Sequence, residues 1–146
     1  VAVRARWGEL SWLWLTPSSR VTTSSSCWTR LVRYSVALLA AEAAAIMLVD
    51  SSGRLQAVAS SSEDADLMEL LQLEVEQGPC VECFDTSAAV SVPDLSEARQ
   101  RWPRFVTAVA ERRTYRSVHA VPLRLRGQAI GALNLFHRDP GALPAA

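Results

Sequence analysis

Apolar positions along this chain change period several times, and each change marks an element. From Leu31 to Ala45 they recur at helical spacing (Leu31, Tyr34, Val36, Leu38, Leu39), which predicts a helix ending near Glu42–Ala44. The continuous apolar run Ala45-Ile46-Met47-Leu48-Val49 suits a buried strand. The turn Asp50-Ser51-Ser52-Gly53 follows, and Leu55 to Ala59 then alternates, completing a hairpin. Ser61-Ser62 before Glu63 and Asp64 reads as a helix start, because hydroxyl caps and early acids suit the free amides and the dipole there. Leu67, Leu70, Leu71 and Val75 continue that helix, and Gly78-Pro79 ends it.

Val90-Ser91-Val92 is a short strand stopped by Pro93, and Trp102-Pro103 opens a helix with Phe105, Val106 and Val109 on its inner stripe. The longest strand patterns are Arg116 to Leu125 and Ala129 to Phe136, joined by Arg126-Gly127-Gln128 and closed by Asp139-Pro140-Gly141. In the first of them Val118 and Ala120 share one face, and His119, Val121 and Leu123 the other. Pro122 fits an edge or a bulge better than a central position. Local hairpins in the order helix, strand, strand, helix, strand, helix, strand, strand predict an α+β domain. Its core is an antiparallel sheet of about five strands with helices on its faces.

Composition adds bounds. At 146 residues, 49% hydrophobic and 21% charged, the chain is a globular single-domain sequence with formal net charge zero. No global field favours nucleic acid or an anionic membrane. No apolar run approaches a membrane span, and the three cysteines suit a reducing, cytoplasmic setting rather than a disulfide framework.

The first 29 residues stand apart: four of the five tryptophans lie in the first 28, while fourteen of the fifteen acids lie after position 40. This leader is read either as disordered or as a frameshifted segment. Plausible codons for Leu15 to Thr29, read one base earlier, encode an acidic, helix-patterned peptide that joins smoothly onto Arg30. Trp12, Trp14 and Trp28 would then sit where an amphipathic helix belongs, or dangle.

Chemistry-bearing residues are few. Cys80 and Cys83 form C-x-x-C after a Gly-Pro turn, a spacing that serves zinc or thiol exchange. Zinc lacks further ligands, since only Cys27, His119 and His137 remain, and no metal or cofactor is expected. Glu76 and Glu82 nearby oppose a thiolate, so the pair reads first as small apolar packing and second as a redox pair. His119, on a strand beside valines, reads as a hydrogen-bonded core residue, and no nucleophile–base pair is visible. Arg99, Arg101, Arg104, Arg112, Arg113 and Arg116 cluster about one helix and read as a solvated face rather than a nucleic-acid patch.

The run LEVEQGPCVECFDTSAAVSVPDL (Leu73 to Leu95), with Arg101-Trp102-Pro103-Arg104-Phe105 and Ser117 to Leu123, resembles a GAF domain. The resemblance is to the type found in actinobacterial GAF–ANTAR transcription antitermination regulators, and it covers roughly Leu31 to Pro144. It implies a sensing and regulatory module rather than an enzyme. A small ligand would lie among Cys83, Phe84, Val92, Asp94, Trp102, Phe105, Tyr115 and His119.

It also implies a homodimer in the parent protein, and RNA contact only through ANTAR helices. Neither those helices nor the usual closing helix follows in this sequence, so the resemblance reads the chain as truncated. Two alternatives accompany it. One is a GAF-fold methionine sulfoxide reductase using Cys80 and Cys83 as attacking and resolving thiols, the other a non-functional gene fragment.

Overall fold

The computed structural model describes residues 21–112 and 114–141. The first helix, α1 (Val21–Leu38), begins earlier than its spacing predicts and crosses the 29/30 junction. Ser and Thr are weak helix formers, yet the Ser/Thr-rich stretch before Cys27 is helical. The tertiary reason is the stripe formed by Trp28, Val32 and Val36, which docks on the sheet with Trp28 only 6% exposed. The leader's first twenty residues, with Trp12 and Trp14, lie outside the described residues.

The helix also stops sooner than Glu42–Ala44. Ala40 takes a left-handed turn with φ of 52°, and the strand β1 (Ala43–Val49) follows at once. Trading helix for strand at Ala43-Ala44 puts both small side chains under close neighbours, where they are fully buried.

β1 pairs antiparallel with β2 (Leu55–Ser60) across a tight turn. Asp50 Oδ1 organises that turn by accepting from the Ser52 amide (2.8 Å), the Ser52 hydroxyl (2.6 Å) and the Arg54 amide (3.0 Å). These bonds, the Ser52 hydroxyl first, hold the Asp50 carboxyl down at about 2.

Next comes α2 (Glu63–Val75), capped by Ser62 Oγ on the Ala65 amide at 3.1 Å. A helix that the pattern did not reveal, α3 (Pro79–Thr86), begins immediately afterwards with proline at its first turn. β3 (Val90–Val92), a 3₁₀ turn (Leu95–Ala98) and α4 (Pro103–Arg112) lead to the long hairpin of β4 (Ser117–Leu125) and β5 (Gln128–His137).

The five strands lie in the order β2-β1-β5-β4-β3, all antiparallel. Ile46 pairs with Leu133, and Val58 and Val118 lie in the same sheet, as the hairpin reading requires. Central β1, paired on both sides, explains its unbroken apolar run. Pro122 fits because β3 covers β4 only as far as Ala120, so the missing N–H faces an open edge. The fold is α+β, as the element order predicts.

Each sheet face has its own core. Under α1 lie Ile46, Leu48 and Leu135. Under α2, α3 and α4 lie Met47, Val118, Ala120, Ala132 and Phe136. Among the described residues, no helix is long and apolar enough to cross a membrane.

Candidate functional site

The face under α2, α3 and α4 holds two polar features in an otherwise apolar setting. The first is a buried cluster. On α2 the inward positions are Ala65, Met68, Glu69, Leu71 and Gln72, so Glu69 and Gln72 sit on the helix's apolar stripe. From β5 beneath, Asn134 Nδ2 donates to both Glu69 carboxyl oxygens at 2.9 Å. Gln72 Nε2 reaches Glu69 Oε1 at 3.3 Å, and its Oε1 accepts from the Cys80 amide at 2.8 Å.

That last bond gives a free amide at the start of α3 a partner from another helix. Gly78 leaves room for it: its φ is 137°, and a Cβ there would meet Gln72 Oε1 at 2.5 Å. Glu69 is fully buried and has no cationic partner in this cluster. Burial pushes its carboxyl from 4.5 to about 8, against the Asn134 bond and with help from the Asp66 charge. Asn134 Oδ1 is buried without a hydrogen-bond partner among the described residues, which suits a neighbouring group that carries a proton.

The second feature is a cleft of about 350 Å³ between α4, the 3₁₀ turn and the ends of the long hairpin. Leu95, Val106, Val109 and Ala110 form its apolar walls. Tyr115 lies at its back, stacked on Phe136 with centroids 5.1 Å apart and its hydroxyl 3.1 Å from Ser62 Oγ. Ser96, Thr114, Arg116 and Arg138 supply polar edges. The hairpin register brings the two arginines to one place, because the Arg116 amide donates to the His137 carbonyl at 2.8 Å.

The residues expected to line a pocket divide into groups. Cys83, Val92, Trp102 and Phe105 are buried in the core of this face. Phe84 is half-buried. Tyr115 lines the cleft, and Asp94 stands beside it, holding Arg116 at 3.0 Å. The structure does not bring His119 to the others. It lies on the α1 side of the sheet, paired with Leu135, where its Nδ1 meets Ser91 Oγ at 2.7 Å. Burial, then the neighbouring His137, lowers its pKa, against the Gly141 backbone.

Glu69, Gln72, Asn134, Arg116 and Arg138 were not singled out as site residues by the sequence. Two polar side chains on the apolar stripe of α2 were the available signal.

Cys80 and Cys83 are free, buried thiols. Burial, then the Glu69 carboxyl, raises Cys80 well above its ordinary value, and burial pushes Cys83 up to about 11. Neither is an activated nucleophile at neutral pH. In the arginine cluster, Arg101 is taken up by Glu82, with Nε to Oε2 at 2.9 Å, and lies 4.6 Å over the Trp102 ring. Arg113 lies outside the described residues. Among those described, no group of three or more metal-ligating side chains is assembled.

A five-stranded antiparallel sheet with helices on both faces and a small cleft beside it defines an α+β domain. The family model for the GAF domain matches residues 22–146, and the chain belongs to that family. GAF domains generally serve as sensing and regulatory modules.

Solved structures agree in fold. A type II free methionine-R-sulfoxide reductase from Thermoplasma acidophilum is 16% identical, with TM-score 0.65, over 85% of this chain and 81% of that one. The NreA protein of Staphylococcus aureus, mutated in its nitrate-binding site, is 18% identical, with TM-score 0.66, over 86% and 93%. The GAF domain of an Acinetobacter phosphoenolpyruvate-protein phosphotransferase is 16% identical, with TM-score 0.57, over 80% and 68%. No curated protein matches the sequence.

Proposed function

We propose that this chain is the signal-sensing module of a GAF–ANTAR-type transcription antitermination regulator. It holds a small ligand in the Tyr115 cleft and acts as a homodimer, while RNA is contacted by an ANTAR domain rather than by this fold. The observation that carries the sensing reading is the cleft. It is of ligand size, walled by apolar side chains and edged by a few polar groups.

The antitermination assignment is supported by the Gly-Pro-Cys-x-x-Cys run at Gly78 to Cys83, which resembles that subfamily. A ligand there contacts α4, the 3₁₀ turn and both ends of the hairpin at once, so it favours one arrangement of these elements over another. The raised thiol pKa values of Cys80 and Cys83 weigh against the reductase alternative.

Some compounds in a panel of small metabolites are expected to raise the Tm, by about 5–10 °C at a hundredfold excess over Kd. Ala110→Trp, which fills the cleft from its exposed rim, should abolish that response and leave the unliganded Tm within about 3 °C of wild type. A response that survives Ala110→Trp would replace this reading, as would turnover of free methionine-R-sulfoxide that is lost in Cys80→Ser.

Support for the dimer comes from α1. Its outer side exposes Leu38 (80%) and Tyr34 (64%), large apolar side chains that a monomer rarely leaves in water together. Leu38→Asp is expected to shift sedimentation from dimer towards monomer by at least about tenfold in Kd. Identical sedimentation of mutant and wild type would remove α1 from the interface.

A further inference from the structure

We propose that the Tyr115 cleft takes a small organic carboxylate with an apolar body, its charge held between Arg116 and Arg138. The proposal rests on the sensing reading and narrows it to a ligand class. Among the described residues, the charged side chains lining the cleft are both arginines, and no acid lines it. The acids that meet these arginines are not among the residues that line it. Asp94 takes one Arg116 amine at 3.0 Å, while Glu42 and Asp64 reach Arg138 only at 3.4 and 3.5 Å.

Those contacts aim the guanidinium groups without exhausting them, since each carries five donors in a planar fork that matches a carboxylate. Arg138 is further fixed by lying 5.5 Å over the Tyr115 ring. The remaining walls have no charge: Leu95, Val106, Val109 and Ala110 offer only apolar surface for a hydrocarbon or aromatic body. A bare inorganic anion would leave those walls without a partner, and a neutral molecule would make no use of the guanidinium donors that Asp94, Glu42 and Asp64 leave free. One amphiphile satisfies both halves.

Titration calorimetry on the full chain at low salt tests this with hexanoate and benzoate, their alcohols hexan-1-ol and benzyl alcohol, and inorganic phosphate. The carboxylates are expected to bind at least about tenfold more tightly than the alcohols and than phosphate. Arg138→Met and Arg116→Met, which keep the apolar stems of exposed side chains, should each weaken carboxylate binding about tenfold or more and leave alcohol binding unchanged. Affinity should hold from pH 6 to 8 and fall below about pH 4.5, as the ligand protonates.

Alcohols that bind as tightly as the acids would overturn the ligand class and leave the sensing reading intact. Phosphate as tight as hexanoate would do the same, marking a plain anion site. Silence from every probe, alongside a metabolite response that Ala110→Trp removes, would also discard the carboxylate and keep the sensor. Silence in both experiments would discard both.

Discussion

Glu69→Gln is expected to leave stability near wild type at pH 5 and to raise it strongly at pH 8. The folded domain holds the Glu69 carboxyl protonated up to about pH 8, whereas the unfolded chain releases that proton near 4.5. Between these values the unfolded state binds fewer protons, so stability falls as pH rises, by about 1.4 kcal/mol per unit at the steepest. The contribution is fully present below about pH 4.5 and is lost as pH climbs through about 8, about 5 kcal/mol in all.

Glutamine has the same shape and no proton to lose. Its amide can accept from Asn134 Nδ2 and donate to Asn134 Oδ1, the atom now without a partner. Urea unfolding at pH 5, 6.5 and 8 reads the difference directly. Glu74→Gln, an exposed change on the same helix, is the control. His119 has the opposite sign, since its lowered pKa makes stability rise with pH near its ordinary value, but it is common to both proteins and cancels. Parallel pH profiles for Glu69→Gln and wild type would show that the carboxyl is already ionised in the fold.

How much of this was legible from the residues depends on how far each feature reaches along the chain. Strands with a strong local signal were readable: the apolar run from Ala45 became β1, and the alternation around His119 placed Val118 and Ala120 on the correct face. Helix ends were less so. The span of α1 depends on Trp28 and Val32 docking on the sheet, and its end depends on Ala40 adopting a left-handed turn, neither of which a helical period encodes.

The Gly78-Pro79 signal misled in kind: α2 already ends at Val75, with Glu76 in a left-handed turn, and Gly78-Pro79 instead starts α3, because proline is at home in a first turn. The polar core needed still longer range. Glu69 and Asn134 are 65 residues apart and meet only when α2 packs on the sheet face that Asn134 shares. Arg116 and Arg138 join in one cleft because strand register aligns the two ends of a hairpin. Of the residues that the resemblance implies for a pocket, Tyr115 lines that cleft, whereas the strict alternation of β4 carries His119 to the far face.

Gly131→Ala is expected to destabilise the domain by about 3 kcal/mol or more, a large effect for one methyl group. Gly131 sits in β5 at the middle of the sheet, paired with Leu48 on one side and Leu123 on the other. A Cβ there would fall 2.1 Å from the Met47 carbonyl oxygen and 3.0 Å from Leu48 Cα. Both are backbone atoms of β1, which β2 holds from its other side, so no side-chain rotation relieves the overlap.

The sheet must open locally or β5 must move. Asn134, Phe136 and Arg138 follow on the same strand and its end, so the buried acid and the cleft both lose their registered partners. The expected readout is a fall in the urea midpoint, together with weakened hexanoate binding in whatever fraction stays folded. An unchanged midpoint would mean that β1 and β5 are not held at this spacing, and the alignment of Glu69 with Asn134 would then need a different origin.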